Sequence, residues 1–281
     1  MLKKVSGFAF REFIFGGHLQ SLGSAGLVFI SANLIFNTEA SFGLLLVTYC
    51  IFQFIYTHDR YKHFVYDVET NSERSRHFEK YLNKMPLLLL MYASVILLGN
   101  LYFSNKLSLI LSFVVVVFGV AYTLYFKQLT RKVFLLKNIY VSLVFSVILF
   151  FPLIFYGLQM SNHSQFLLLI IFVFFESMIT QMALDIKDFK KDRKEGLLTL
   201  PVVVGKDTSI SLLRILSIFF GLSIFLIGYM IGFNFVFLSL TAINILVNQL
   251  FLKMIFDGNW RGYVLGAAKF SIWFLITAFL F

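Results

Sequence analysis

Three aspartates in the second half of the chain have the spacing of a metal site. Asp185, Asp188 and Asp192 lie three and four residues apart in the segment DIKDFKKDRKEG, and steps of this length return to one face of an α-helix. Carboxylate oxygens on one face suit a hard cation such as Mg²⁺, which proteins usually hold with one or two carboxylates and the phosphates of a substrate. The pattern therefore predicts a magnesium site for a substrate that carries a diphosphate. The alternative is a solvated, charge-mixed loop between apolar segments.

A second polar segment, residues 59–84, could complete this site. It contains Asp59 and Asp67, followed by Asn71 and Arg74, and two acidic clusters can hold metal ions that bridge a diphosphate. Metal ions and cationic side chains then stabilise the negative charge that grows on a departing diphosphate. The other product is an allylic carbocation, which some of the chain's 37 phenylalanines could stabilise through cation–π contacts in an apolar cavity. The residues between the two clusters that fit such a site are Tyr122, Lys127, Arg131 and Lys132.

The composition indicates where this chemistry would take place. Of the 281 residues, 59% are hydrophobic and 14% are charged, whereas soluble domains are about 45–50% apolar and about 25% charged. The chain is therefore predicted to be an integral membrane protein that contacts the lipid bilayer. Its net charge of +10 does not indicate nucleic-acid binding, because the basic residues lie in short segments between long apolar runs. Anionic lipids and an anionic substrate explain basic residues in that setting.

Long apolar segments recur along the whole chain. A helix needs roughly 20 mostly apolar residues to cross a bilayer, and backbone groups in hydrocarbon must be hydrogen-bonded within their own segment. We therefore predict an all-α bundle of nine transmembrane helices in one domain, residues 1–281, with cytoplasmic polar loops that carry short helices. The predicted spans are 18–37, 39–58, 85–104, 106–126, 133–157, 165–184, 207–232, 234–256 and 261–281.

Lysine and arginine are distributed unevenly between successive loops. They are frequent in the N-terminal segment and in the loops after the second, fourth and sixth spans, whereas the intervening loops contain only Lys106. Because positively charged loops stay in the cytoplasm, the N-terminus and both aspartate segments are predicted to be cytoplasmic. The expected location is the plasma membrane of a prokaryote.

Polar residues inside the predicted spans are costly in a bilayer and are often functional. Gln181 precedes Asp185 by four residues and therefore lies on the same helix face. Glu176 lies near the middle of the sixth span, roughly opposite Asp185 around the helix. It could be a buried acid that serves catalysis, or it could form a hydrogen bond to another helix.

The three aspartates are part of a longer motif. The sequence reads DxxDxxxD followed by GxxTLPVxxG, and in these positions the chain resembles the UbiA superfamily of intramembrane prenyltransferases. The matching residues are Asp185, Asp188, Asp192, Gly196, Thr199, Leu200, Pro201, Val202 and Gly205. The residues Ala121 to Thr123, then Lys127 and the run from Leu136 to Asn138, are similar to the tyrosine–lysine segment before the family's fifth helix. The resemblance implies nine helices and two cytoplasmic aspartate motifs.

The first motif departs from the usual pattern of this family, NDxxDxxxD. In the best register Asp59 takes the place of the asparagine, Arg60 and His63 take the places of the first two aspartates, and Asp67 takes the last place. Two carboxylates are thus replaced by side chains that can be cationic. Arg60 is expected to contact phosphate oxygens directly, since a guanidinium group matches their geometry. The second motif is expected to hold the metal more tightly.

The resemblance implies an enzyme, a transferase of alkyl groups other than methyl. It would move a polyprenyl group from a prenyl diphosphate donor to an aromatic or other lipophilic acceptor, with Mg²⁺ as cofactor. By the same resemblance, Asp185, Asp188, Asp192, Asp67 and Asp59 would bind metal, Lys127, Arg131, Lys132, Arg74, Arg60 and Asn71 would bind diphosphate, and Tyr122 would act with Asp185, Asp188, Asp192 and Asp67 in catalysis. Two alternatives stay open: a relative that binds a prenyl diphosphate without turnover, and a membrane transporter.

Overall fold

The computed structural model describes residues 2–70, 72–122, 124 and 129–280, apart from the side chains of 2–7, 9, 65–67, 69, 70 and 72. All regular structure in these described ranges is helical. The α-helices are α1 Leu2–Phe15, α2 His18–Leu34, α3 Phe42–Thr70, α4 Ser72–Phe78, α5 Met85–Phe103, α6 Lys106–Ala121, α7 Leu136–Val147, α8 Phe151–Tyr156, α9 His163–Glu195, α10 Leu200–Val204, α11 Lys206–Met230, α12 Phe235–Phe256 and α13 Arg261–Leu280. Two 3₁₀ turns, Glu79–Lys84 and Ile148–Phe150, lead into α5 and α8.

Six helical segments within the described ranges are long and apolar enough to cross a membrane. They are Glu73–Phe103, Leu136–Tyr156, His163–Glu195, Lys206–Met230, Phe235–Phe256 and Arg261–Leu280. The helix α6 is apolar but shorter, at 16 residues, and α2 and α3 overlap the first two predicted spans. The chain is therefore a multi-pass membrane protein, as its composition predicted. The count of nine spans stays a prediction.

Two long helices continue beyond the spans that hydropathy predicts for them. The helix α3 runs to Thr70, past the predicted end at residue 58, and α9 runs to Glu195, past the predicted end at residue 184. The helices continue because adding a residue to an existing helix gains a backbone hydrogen bond whether that residue is apolar or charged, and the ends of the membrane spans themselves stay predictions. Much of both polar segments is therefore a helical extension of an apolar helix, which fixes the positions of the motif residues.

A glycine ends the helix that carries the three-aspartate motif. Gly196 follows α9 with a φ of 71°, a left-handed conformation that glycine adopts without strain. The N–H of Leu197 then donates to the carbonyl of Asp192 at 2.9 Å, which satisfies one of the last carbonyls of the helix. Pro201 lies in the first turn of α10. Backbone N–H groups in a first turn have no acceptor within the helix, so proline, which lacks this group, costs no hydrogen bond there. The segment after the motif is therefore a tight turn.

Glycines in α2 allow it to lie directly against α13. A Cβ atom at Gly23 would be 2.8 Å from the Cβ of Phe270, and one at Gly26 would be 2.4 Å from the Cβ of Phe274. Such distances leave no room for a side chain, so the two backbones approach closely, as small residues permit in membrane bundles. Helices from opposite ends of the chain are thus packed side by side, and both reach the site described next.

Candidate active site

A polar cavity of about 600 Å³ lies where the two aspartate segments meet. The helix α9 contributes Asp185 and Asp188 to its wall, and α3 and α4 contribute Arg60, Glu73 and Arg74. Residues of α1, α2 and α13 supply much of the remaining, largely apolar wall. The fold therefore brings acidic and basic residues that are far apart in the sequence to one cavity.

Asp185 is held in place by two residues at the start of α7. Lys137 Nζ donates to one carboxylate oxygen of Asp185 at 2.5 Å, and Asn138 Nδ2 donates to the other at 2.8 Å. The Asp185 side chain is only 2% exposed, so its charge is largely removed from water and depends on the ion pair with Lys137. The pair fixes α7 to α9 at the cavity and places an ammonium group beside the carboxylates.

The other two aspartates of the motif differ in their surroundings. Asp188 is half-buried and lines the cavity. Asp192 is buried about one turn further along α9, and its Oδ2 atom has no hydrogen-bond partner among the described residues. A buried carboxylate oxygen without a donor is costly unless a cation or water meets it. The row of carboxylates is thus present as predicted, with Asp185 and Asp188 in the cavity wall.

The oxygen donors of this motif fit Mg²⁺. They are hard carboxylate oxygens on successive turns of one helix, which is the donor type that Mg²⁺ prefers. No cluster of three or more acidic, histidine or cysteine side chains in the described ranges already forms a metal site. The aspartates would therefore complete the coordination of the ion with water and with oxygens of a bound substrate.

Arg60, which replaces the first aspartate of the first motif, is a buried part of the cavity wall. Its Nε atom donates to the backbone carbonyl of Phe15, and Nη1 donates to the carbonyl of Tyr56 at 2.9 Å. The guanidinium carbon also lies 5.4 Å from the centre of the Tyr56 ring and 6.0 Å from that of Phe78. Arg60 therefore connects the end of α1 to α3 and brings a permanent positive charge to the cavity.

Asp59 is the acid of the first motif whose side chain the structure describes. The Asp59 side chain is 47% exposed, and its Oδ1 lies 3.8 Å from Nε2 of His63. The side chain of Asp67 and the whole of Asn71 lie outside the described residues. The metal role of Asp59 and Asp67 stays a prediction.

A smaller apolar chamber of about 210 Å³ adjoins the polar cavity. Asp59 and Tyr122 contribute to its wall, and the Tyr122 ring stacks on Tyr140 with centroids 5.1 Å apart. Lys137 and Gln181 line both the cavity and the chamber. The two spaces therefore meet at these residues, and Gln181 faces the site as its spacing from Asp185 predicted.

Two of the predicted basic residues in the loop before α7, Arg131 and Lys132, do not line the cavity. Arg131 and Lys132 are exposed, and Lys127 lies outside the described residues. Two backbone hydrogen bonds join this loop to the turn after the motif: Leu198 N–H donates to Thr130 at 3.0 Å, and Leu135 N–H donates to Leu198 at 3.1 Å. The loop is thus tied to the motif, and the diphosphate-binding role of these basic residues stays a prediction.

Lys137 is the site residue that spacing alone did not select. The sequence places it beside Asn138 at the start of an apolar run, next to a basic loop, which was noted only as part of the family resemblance. Its partner Asp185 is 48 residues away, so no local pattern links the two. A lysine at the border of an apolar segment is a usable signal, because the bilayer edge accepts an ammonium group only with a partner or water.

A buried ion pair links three helices away from the cavity. Lys269 Nζ on α13 donates to Glu176 Oε2 on α9 at 2.8 Å, and Asn248 Nδ2 on α12 donates to the same oxygen at 2.8 Å. The side chains of Lys269 and Glu176 are 0% and 1% exposed. Glu176 thus forms the interhelical hydrogen bonds that were one of its two predicted roles. Neither Glu176 nor Lys269 lines the cavity. The wall includes Ala267 of α13, two residues before Lys269.

The carboxylate of Glu12 connects α1 to the segments that pack beside it near the cavity. Glu12 Oε2 accepts a hydrogen bond from Tyr81 at 2.5 Å and lies 2.7 Å from His77 Nε2, while Oε1 lies 3.4 Å from His18 Nε2. Burial alone would raise the pKa of Glu12, but the contacts with His18, Tyr81 and His77 together lower it from 4.5 to about 2. This network holds the end of α1, whose Phe15 lines the cavity.

Acidification is expected to loosen α1. Because the pKa of Glu12 is lower in the folded protein, its contribution to docking is fully present above about pH 4.5 and is lost as the pH falls toward 2. A nitroxide label on Phe10→Cys, at an exposed position, should become more mobile over this range. Glu12→Gln should give the mobile spectrum at every pH, whereas Glu79→Gln, at a nearby exposed acid, should behave as the wild type. Equal mobility in the wild type and Glu12→Gln at neutral pH would contradict this role of Glu12.

Solved structures of UbiA homologues share this fold. The apo structure of a homologue from Aeropyrum pernix K1 has a TM-score of 0.72 at 15% sequence identity, covering 92% of this chain and 97% of that chain. A homologue from Archaeoglobus fulgidus, bound to DMAPP and Mg²⁺, has a TM-score of 0.63 at 14% identity, with coverages of 95% and 99%. A structure of digeranylgeranylglyceryl phosphate synthase has a TM-score of 0.57 at 16% identity, with coverages of 99% and 96%.

The sequence itself was compared with known families and proteins. No curated protein matches it significantly. The sequence model of the UbiA prenyltransferase family matches residues 85–279, a range that exceeds half of the chain. This range contains the three-aspartate motif and Lys137 but begins after the first polar segment, where the sequence departs from the family pattern. The match confirms the resemblance noted in the motif: the chain belongs to the UbiA prenyltransferase family.

Proposed function

We propose that this protein transfers a prenyl group from a prenyl diphosphate to a lipophilic acceptor inside the membrane, in a Mg²⁺-dependent reaction. The observation that carries the proposal is the junction of a charged cavity and an apolar chamber at Lys137 and Gln181. A prenyl diphosphate is divided in the same way into a charged head and an apolar tail. Membership of the UbiA prenyltransferase family supports the reaction type, and the A. fulgidus homologue was solved with DMAPP and Mg²⁺.

The diphosphate would lie in the polar cavity. Asp188, with Asp185 and Asp192, would hold Mg²⁺, and Asp67 and Asp59 are the candidates for a second ion. Bound Mg²⁺ supplies positive charge that favours departure of the diphosphate. The cations that would contact phosphate oxygens are Arg60, Arg74 and Lys137 in the cavity wall, with Lys127, Arg131, Lys132 and Asn71 from the adjoining segments.

The apolar chamber would receive the prenyl group and protect the allylic cation from water. Tyr122 and Tyr140 present stacked rings in its wall, and the face of an aromatic ring attracts a cation. Lys137 lies at the junction, where it would attract the departing diphosphate and hold it away from the cation. Ionisation would thus leave the diphosphate in the polar cavity and the allylic cation in the apolar chamber. The acceptor would then attack the cation.

The acceptor is proposed to be aromatic or otherwise lipid-soluble, since the chamber wall is largely apolar. We place the enzyme in the plasma membrane of a prokaryote, with nine spans, a cytoplasmic N-terminus and the aspartate motifs on the cytoplasmic face. The asymmetry of lysine and arginine between successive loops supports this orientation.

The purified protein in detergent tests this proposal directly. It would be mixed with a series of prenyl diphosphates and a membrane-lipid extract, with and without Mg²⁺, while diphosphate release and new prenylated products are measured by phosphate assay and mass spectrometry. Mg²⁺-dependent release together with a product of the expected mass is the predicted result. A folded protein that binds prenyl diphosphates but releases no diphosphate with any extract would contradict the proposal.

Replacement of Lys137 by methionine is expected to reduce kcat by about 10²–10³-fold, the effect of removing one preorganised donor from a site where charge develops. The substitution also leaves Asp185 without its ammonium partner. Lys137→Arg retains the charge and should recover part of the activity, while Lys253→Met, at an exposed lysine near the end of α12 that does not line the cavity, should have a much smaller effect. Similar losses in Lys137→Met and Lys253→Met would contradict the special role of Lys137.

A further inference from the structure

The apolar chamber has a defined long axis. Its wall residues on α7 run from Lys137 to Phe145, and those on α3 run from Asp59 to Phe52. Eight residues of helix separate Lys137 from Phe145, which corresponds to about 12 Å at 1.5 Å per residue. The charged residues therefore mark the mouth of the chamber, and the two phenylalanines mark its far end.

Phe52 and Phe145 close the far end as a stacked pair. Their ring centroids are 5.5 Å apart, the planes differ by 15°, and each residue is 3% exposed. Behind them, Phe145 contacts Phe270 with centroids 5.4 Å apart, and Phe270 contacts Trp273 at 5.0 Å. Close-packed side chains of this kind have few voids to move into. The far end of the chamber is therefore a fixed floor.

The sides of the chamber are also closely packed. A Cβ atom at Gly119 on α6 would lie 2.5 Å from the Cδ1 atom of Ile55 on α3, so these two helices are in direct contact beside the chamber. The stacked rings of Tyr122 and Tyr140 form another part of the wall. A chain that enters at Lys137 is thus guided toward the phenylalanine floor.

The volume of the chamber limits what can enter. Sites that bury a drug-sized molecule usually measure about 300–1,000 Å³, whereas this chamber measures about 210 Å³. The chamber is therefore small for an apolar ligand site, which favours a short prenyl tail over a long one.

We propose that Phe52 and Phe145 set the length of the prenyl group and restrict the enzyme to short donors, dimethylallyl and geranyl diphosphate. This inference rests on the proposed function, since it assigns the chamber to the prenyl tail. A longer tail meets the stacked rings before its diphosphate reaches Asp188 and Lys137. Each additional isoprene unit is therefore expected to weaken donor binding and to lower kcat/KM.

The wild-type protein would be tested with dimethylallyl, geranyl, farnesyl and geranylgeranyl diphosphates. Both kcat/KM for diphosphate release and the Kd of each donor would be measured. We expect kcat/KM to be at least about tenfold higher, and Kd at least about tenfold lower, for geranyl than for farnesyl diphosphate, since one methylene in an apolar pocket already changes selectivity by about 10–200-fold. Equal values for all four donors would overturn the inference.

Substitutions at the floor and in the wall should change the longest accepted prenyl tail in opposite directions. Phe145→Ala should raise the ratio of kcat/KM for farnesyl diphosphate to kcat/KM for geranyl diphosphate by at least about tenfold. Phe145→Leu is a milder variant if the alanine protein does not fold. Val144→Phe, which adds bulk to the chamber wall, should instead favour dimethylallyl over geranyl diphosphate. Phe155→Ala removes a buried ring that does not line the chamber and should leave both ratios unchanged.

The outcomes separate this inference from the proposed function. If no donor releases diphosphate, the proposed function fails, and the Kd values still decide whether the floor limits the length of the bound tail. If diphosphate is released and the donor ratios are the same in Phe145→Ala, Val144→Phe and the wild type, the reaction stands and the role of the floor is refuted.

Discussion

Replacing Asp188 with asparagine is expected to abolish turnover while the protein still folds. The amide has the size of the carboxylate but not its charge, so it binds Mg²⁺ poorly. Loss of one electrostatic group at such a site typically costs about 10²–10³-fold in kcat, and loss of a metal ligand should cost at least as much. Asp188 is half-buried at the cavity wall, so an uncharged replacement leaves the packing of α9 intact. The measurements are kcat, the Mg²⁺ concentration at half-maximal activity and the thermal midpoint in detergent.

Asp207→Asn is the matched control for this prediction. Asp207 is an exposed acid at the start of α11, beyond the turn that follows the motif, and it does not line the cavity. Its replacement removes the same charge and should leave kcat unchanged. A fully active Asp188→Asn enzyme would refute the assignment of the metal site to the second motif.

Replacing Lys269 with methionine is expected to cause the largest loss of stability. The substitution leaves the carboxylate of Glu176 buried without its ammonium partner. Removing one partner of a buried ion pair typically costs about 3–5 kcal/mol. The methylene stem is retained by methionine, so the loss would come mainly from the charge. The free energy of unfolding in detergent, or the thermal midpoint, measures the effect.

The double variant Glu176→Gln, Lys269→Met separates the charge from the packing. It removes both charges and keeps a side chain at position 176 that can accept the hydrogen bond from Asn248. Replacing both members of a buried pair is often close to neutral, so the double variant should recover most of the stability lost in Lys269→Met. A double variant as unstable as the single one would show that packing, and not the unpaired charge, causes the loss.

The part of the site that local spacing controls could be predicted from the sequence. Asp185, Asp188 and Asp192 fall on one helix face because an α-helix repeats every 3.6 residues, and Gln181 follows the same rule. The turn at Gly196 and Pro201 was also readable, since glycine ends helices and proline begins them. These features depend on residues within a few turns of one another.

The pairings between helices could not be predicted from the sequence. Lys137 and Asp185 are separated by 48 residues, and Glu176 and Lys269 by 93, so their contacts depend on how the bundle packs. The exposed positions of Arg131 and Lys132 were equally unpredictable, because charge alone does not say which way a loop residue points. Hydropathy also does not give the ends of α3 and α9, since it measures preference for lipid and not helix formation.

The hydrogen bond from Arg60 to Phe15 connects α1 to the cavity wall. The same guanidinium group holds the carbonyl of Phe15 and lines the space next to Asp185 and Asp188. Any ligand that binds more tightly when α1 is docked must strengthen the docking of α1 by the same factor. For such a ligand the N-terminal helix would report occupancy of the cavity, although it lies outside the part of the sequence that matches the family.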